Sequence, residues 1–179
     1  MMGVVIIISN YLVQFPINKF QLQDILTYGA FSYPITFLII DLANRRFGKK
    51  KSRKLVYIGF AIGILLTAFV STNFQDIIST RIAIGSGTAF LFSLLIDIEI
   101  FQRLRNKLWF VAPVTSSIVG STIDTFLFFF IAFSGTGISW VTLAFGDLFV
   151  KFLMALLMLI PFRILIFKIR DLNGKKYTA

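Results

Sequence analysis

The chain has 179 residues, 57% of them hydrophobic and only 15% charged, and Phe alone fills 22 positions. Mean hydropathy is +0.85, more apolar content than a soluble domain of this size can hide from water. Cys and His are both absent, which excludes disulfides, thiol catalysis, zinc sites and histidine acid–base chemistry. No resident metal or cofactor is expected.

The net charge of +10 does not indicate a nucleic-acid partner. The cations sit in short segments between apolar runs, the pattern of a membrane protein with basic cytoplasmic loops. A helix needs roughly 20 residues to cross the hydrocarbon core. Six runs read as membrane helices, at about 3–17, 25–43, 55–72, 77–101, 108–133 and 145–167. The expectation is an all-α, polytopic six-helix bundle in one transmembrane domain.

The first run carries Asn10 and Gln14 and lacks both a basic flank and a small-x-small cleavage site, so it reads as a span and not a cleaved leader. The second contains Pro34 and ends at a segment, Arg45 to Lys54, with seven cations and no anion. Arg103, Arg105 and Lys107 follow the fourth run, and Lys168, Arg170, Lys175 and Lys176 follow the sixth. The alternate loops are poor in charge. Basic loops after the second, fourth and sixth runs place both termini in the cytoplasm. No phosphate-cradling loop is present, because Gly85-Ser86-Gly87 is not followed by Gly-Lys-Ser/Thr. Any ATP-driven step needs a partner protein.

Ionisable groups inside a membrane are expensive and are functional candidates by default. Asp41 precedes Arg45 by four residues and reads as half of an interfacial ion pair. Arg163 can reach the cytoplasmic interface with its charged end and reads as structural. Asp147 and Lys151 are also four apart: they neutralise each other, or Lys151 lines a cavity. In the fourth run Ser86, Ser93 and Asp97 share one stripe, with Arg81, Gly85, Thr88, Phe92 and Glu99 on its neighbour. Small and polar residues mark the packed side of a membrane helix. Asp97 lies about 7 Å from the cytoplasmic end at 1.5 Å per residue. In the fifth run Ser117, Gly120, Ser121 and Asp124 share a face, and Asp124 is about 16 Å past Pro113, near the midplane. A carboxylate there can accept two donors from a guanine-like edge, and aromatic rings can stack on a flat heterocycle. Spacing alone stops at a polar cavity for a small solute.

Three strings carry a resemblance. Arg81 to Arg105 is RIAIGSGTAFLFSLLIDIEIFQRLR, Trp109 to Phe133 is WFVAPVTSSIVGSTIDTFLFFFIAF, and the sixth run from Gly146 is GDLFVKFLMALLMLIPFRIL. Together with Tyr33-Pro34-Ile35-Thr36-Phe37 and the following Asp41, they resemble the queuosine-precursor transporters, the vitamin uptake transporter group. The resemblance covers most of the chain after about Gly29. It implies a bundle similar to the substrate-binding subunits of vitamin transporters. It also implies uptake, across the bacterial inner membrane, of 7-cyano-7-deazaguanine, 7-aminomethyl-7-deazaguanine or queuine for tRNA modification. Matching positions are Arg81, Asp97, Asp124 and Lys151, and the polar stripes add Ser121 and Glu99 as candidate substrate contacts. Leu94 and Ser121 stand where many relatives have Gln and Asn, and the preferred precursor stays open.

Other readings are a substrate-binding subunit of an energy-coupling-factor-type transporter, a membrane enzyme using Asp97, Glu99 and Asp124, or a scaffold. The first needs an ATPase partner, and the bulky first run from Gly3 lacks the Ala-x-x-x-Ala docking motif of that group. The expected partners are the small-molecule base and membrane lipid, with no direct nucleic-acid contact.

Overall fold

The computed structural model describes residues 29–70, 77–137 and 139–167. They form five helices: α1 Gly29–Phe47, α2 Lys49–Val70, α3 Ile77–Leu104, α4 Val111–Phe133 and α5 Trp140–Ile166. These correspond to the second to sixth runs of the sequence. The first run and the basic tail lie outside the described residues. Thr80–Leu104, Val111–Phe133 and Trp140–Ile166 are long and apolar enough to cross a bilayer. The described chain is thus an all-helical membrane protein.

The segment 44–54, expected as a charged loop, is helical except at Gly48. That residue takes φ 78°, a left-handed conformation glycine adopts without steric cost. Its N–H donates to the Asn44 carbonyl at 2.9 Å, while its own carbonyl accepts from the Ser52 N–H at 3.2 Å. One residue therefore closes α1 and opens α2. The cations the sequence places in a loop become the last turn of α1 and the first turns of α2.

α1 is the central element, touching each of the other four, while α3 and α4 share the most extensive contact. Thr36, Phe37, Ile40, Asp41, Asn44 and Arg45 are all buried, a stripe one helical turn apart along α1. Phe37, Ile40, Val56, Phe90, Leu94 and Ile98 join α1, α2 and α3 in one apolar cluster. Phe101, Ala112, Phe162 and Ile166 form a second, where α5 meets the ends of α3 and α4. The opposite face of α5, with Phe149, Leu153, Leu156, Ile160 and Ile164, is exposed and suits contact with lipid chains. In lipid the helices are held by close packing and polar contacts, since burial from water no longer distinguishes the faces.

Two glycines of the central helices differ in the room around them. A Cβ on Gly120 would meet the Phe37 ring at 2.8 Å and the Asp97 Cβ at 3.4 Å. A Cβ on Gly87 would meet nothing nearer than the Phe60 ring at 3.5 Å. Gly120→Val is therefore expected to destabilise the bundle by about 1–3 kcal/mol, and Gly87→Ala to be tolerated. Thermal melting of the two variants in detergent checks the contrast.

Candidate functional site

Polar side chains inside a bundle need partners, because lipid offers none. The buried polar residues of α1, α3, α4 and α5 fall into two groups. The first surrounds Lys151 of α5. Its ammonium lies 2.9 Å from Asp124 Oδ2, 2.6 Å from Asp147 Oδ2 and 2.9 Å from Thr125 Oγ1. The three N–H groups of an ammonium thus have three acceptors. Thr125 in turn donates to Asp147 at 2.8 Å, and Ser93 of α3 donates to Asp124 Oδ1 at 3.4 Å. The side chains of Lys151 and Asp124 are only 7% and 5% exposed. The Asp147–Lys151 pairing expected from their spacing is present, and Asp124 joins it from the facing helix.

The second group lies nearer the start of α4, at Ser116, eight residues before Asp124. The carboxyl groups of Asp41 on α1 and Asp97 on α3 are within hydrogen-bonding reach of each other. Both residues are buried, Asp97 completely. Ser116 of α4 has a single hydroxyl hydrogen and two acceptors at 3.3 Å, Asp41 Oδ1 and the Pro113 carbonyl. Read from the sequence as half of an interfacial ion pair with Arg45, Asp41 has its side chain turned into the bundle, because the end of α1 is enclosed by the other helices.

Between the two groups is a small cavity bounded by α1, α4 and α5. Asp41 and Lys151 line it, with Ser117 and Ser121 on α4 and the rings of Phe37 and Phe162. Its volume is about 20 Å³, room for about one water molecule. Ser121 and Lys151 are thus at the cavity wall. Asp124 stands behind Lys151, and Asp97 stands behind Asp41.

Arg81 and Glu99 are elsewhere. Arg81 Nε donates to the Ile131 carbonyl at 3.0 Å and Nη2 to the Ser134 carbonyl at 2.7 Å. A cation there satisfies carbonyls that the end of α4 leaves without a helical partner. Glu99 lies 2.5 Å from Lys49, 3.2 Å from Arg53 and 3.6 Å from Arg103. Close by, Arg45 and Arg105 each donate to the other's carbonyl, at 2.6 and 3.1 Å. The Arg163 guanidinium lies 4.9 Å from the centre of the Trp109 ring. Sequence reasoning passed over Ser117, among the lining residues, as a site candidate and gave Asp41 the wrong surroundings. The Ser117–Ser121 spacing on one helical face was the signal available for the former.

A family model described as "Putative vitamin uptake transporter" matches residues 27–166. The chain is 31% identical over 176 residues to the queuosine precursor transporter of Escherichia coli (strain K12), covering 88% of this chain and 79% of that protein. It is 32% identical over 188 residues to a protein of Haemophilus influenzae named "Probable queuosine precursor transporter", with the same 88% and 79% coverage. A Bacillus subtilis (strain 168) protein of that name is 28% identical over 156 residues, covering 74% and 68%. No solved structure matches.

Proposed function

The chain belongs to the vitamin uptake transporter family, and from that premise we propose that it carries 7-deazaguanine queuosine precursors inward across the bacterial inner membrane. The family is one of transporters, so the enzyme reading is set aside. The carboxyls that reading needed are also divided. Asp124 pairs with Lys151, Asp97 faces Asp41, and Glu99 faces three cations. The cluster of Lys49, Arg53, Arg103, Arg45 and Arg105 at one end of the bundle supports a cytoplasmic position for that end.

One observation carries the substrate reading: a cavity lined by Asp41 on one side and by Lys151 on another, between aromatic rings. A guanine-like edge presents N1–H and an exocyclic amine side by side. The Asp41 carboxylate accepts both, Ser117 and Ser121 serve the remaining polar atoms, and Phe37 and Phe162 cover the flat faces. Lys151 supplies the positive wall, and Asp124 acts by holding it there. At about 20 Å³, the cavity must widen before a bicyclic base fits. α1 and α5 each contain an internal proline, Pro34 and Pro161, which removes one backbone hydrogen bond from the helix. These are the helices that part.

The test is complementation. In a bacterium that cannot make the precursors, expression of this chain is expected to restore queuosine in tRNA when one of the three bases is supplied at low concentration. A boronate gel reads the modification through the cis-diol of queuosine. Confirmed membrane expression without restoration by any base overturns the reading. Glu99→Gln is expected to keep restoration, because a half-exposed ion cluster contributes about 0.2–1 kcal/mol per pair. Loss of restoration at unchanged expression would return Glu99 to the site.

A further inference from the structure

Asp97 has no part in the proposed contacts with the base, yet it is among the least satisfied polar side chains described. Both its carboxyl oxygens are buried, and among the described residues neither accepts a well-formed hydrogen bond; the donor within reach is the Ser116 hydroxyl. What faces it is another carboxyl, that of Asp41, within hydrogen-bonding reach. An ionised carboxylate only accepts hydrogen bonds. Two carboxyl groups can bond to each other only through a proton that one of them carries.

The cations around the pair have other partners. On α1, Arg45 lies one turn beyond Asp41 and its Nη1 donates to the Arg105 carbonyl. On α5, Lys151 is held by Asp124, Asp147 and Thr125. From α2, Lys49 and Arg53 face Glu99, as does Arg103 from the end of α3. From α4 the Ser116 hydroxyl reaches both carboxyls, and its one hydrogen is divided among Asp41, Asp97 and the Pro113 carbonyl.

We infer that the Asp41–Asp97 pair, joining α1 to α3 beside the cavity, binds a proton that is carried inward together with the base. The inference rests on the transport reading above. A proton taken up on the outer side resides on Asp97 as a neutral carboxylic acid. That cancels one of two adjacent charges and leaves the Asp41 carboxylate as the double acceptor for the base. Without the proton, two bare carboxylates in contact repel each other. Each ligand thereby favours the binding of the other, as thermodynamic linkage requires. On the inner side the base leaves, Asp97 releases the proton to water, and nothing is oxidised or reduced. Asp41 lines the cavity, so proton and base reach the pair by the same opening.

The experiment uses the full chain purified into liposomes, with labelled 7-cyano-7-deazaguanine outside and a pH-reporting dye inside. An outward-alkaline to outward-acid change is expected to drive accumulation of the base above its external concentration, with matching internal acidification. A protonophore should abolish both, and a sodium gradient at equal pH should drive neither. Asp97→Asn is expected to retain exchange of labelled for unlabelled base while losing accumulation, and Asp97→Glu to retain both. Accumulation driven by sodium, or indifferent to the pH gradient in the unaltered protein, overturns the proton site whatever the variants do. So does gradient-driven accumulation by Asp97→Asn. Absence of exchange by the unaltered protein overturns the transport reading itself, which separates that failure from the failure of the proton site.

Discussion

Lys151→Met is expected to abolish uptake and to lower the stability of the bundle by about 3–5 kcal/mol, the usual cost of removing one partner from a buried ion pair. The reason is the company Lys151 keeps. Its ammonium touches two carboxylates, at 2.9 and 2.6 Å, and a threonine hydroxyl at 2.9 Å. Methionine has comparable length and fills the space, so the loss is electrostatic and not a cavity effect. It leaves the buried Asp124 and the partly buried Asp147 without their cation. A loss of that size is a large part of a total folding stability of about 5–15 kcal/mol, so the yield of folded protein should also fall.

Stability and transport can be separated. Replacing the whole network, with Lys151→Met, Asp124→Asn and Asp147→Asn together, removes every charge that needs compensation. Replacement of a complete buried ion network is often neutral, so the melting temperature should recover toward that of the unaltered chain. Uptake should not recover, because the cavity has lost its positive wall. Melting in detergent and uptake in the complementation strain read the two outcomes. Recovery of uptake in the triple variant would reduce the network to a structural clamp.

The sequence made the helical class legible, and it made one face of α4 legible too. Gly120, Ser121 and Asp124, grouped by spacing, are all buried in the bundle. It also showed the Asp147–Lys151 pair, because a spacing of four on a helix places two side chains together. It could not show Asp124 beside Lys151, a contact across 27 residues that depends on how α4 and α5 are rotated against each other. The same limit applies to Asp41. Arg45 four residues on made it look interfacial, whereas α1 is the central helix and has little free face. Glu99 looked like a membrane-embedded acid because the cations near it were assigned to a loop. The single-residue connection at Gly48 keeps them helical and brings Lys49 and Arg53 against α3. These outcomes were decided by rotation of helices about their axes and by one backbone conformation, neither of which leaves a periodic trace in one chain.

Asp41→Asn is the sharpest test of which group reads the base. The amide it introduces can donate to the Asp97 carboxyl and accept from Ser116, so folding should survive the change. Binding should not. One of two acceptor oxygens becomes an NH₂ facing a donor of the base, and the charge on the other is lost. Two hydrogen bonds to a charged group are at stake, each about 1.5–3 kcal/mol, so affinity should fall by about a hundredfold or more at 1.4 kcal/mol per factor of ten. A ligand series then isolates the contact. An analogue without the exocyclic amine should bind the unaltered protein less well than the parent base, because it offers one donor fewer to Asp41. Against Asp41→Asn the two ligands should bind nearly alike. The comparison is a double-mutant cycle with one change on each side of the contact, and titration of the purified protein in detergent measures all four affinities. If the amine is worth the same in both proteins, Asp41 does not touch it, and the carboxylate that recognises the base must be sought behind Lys151, at Asp124.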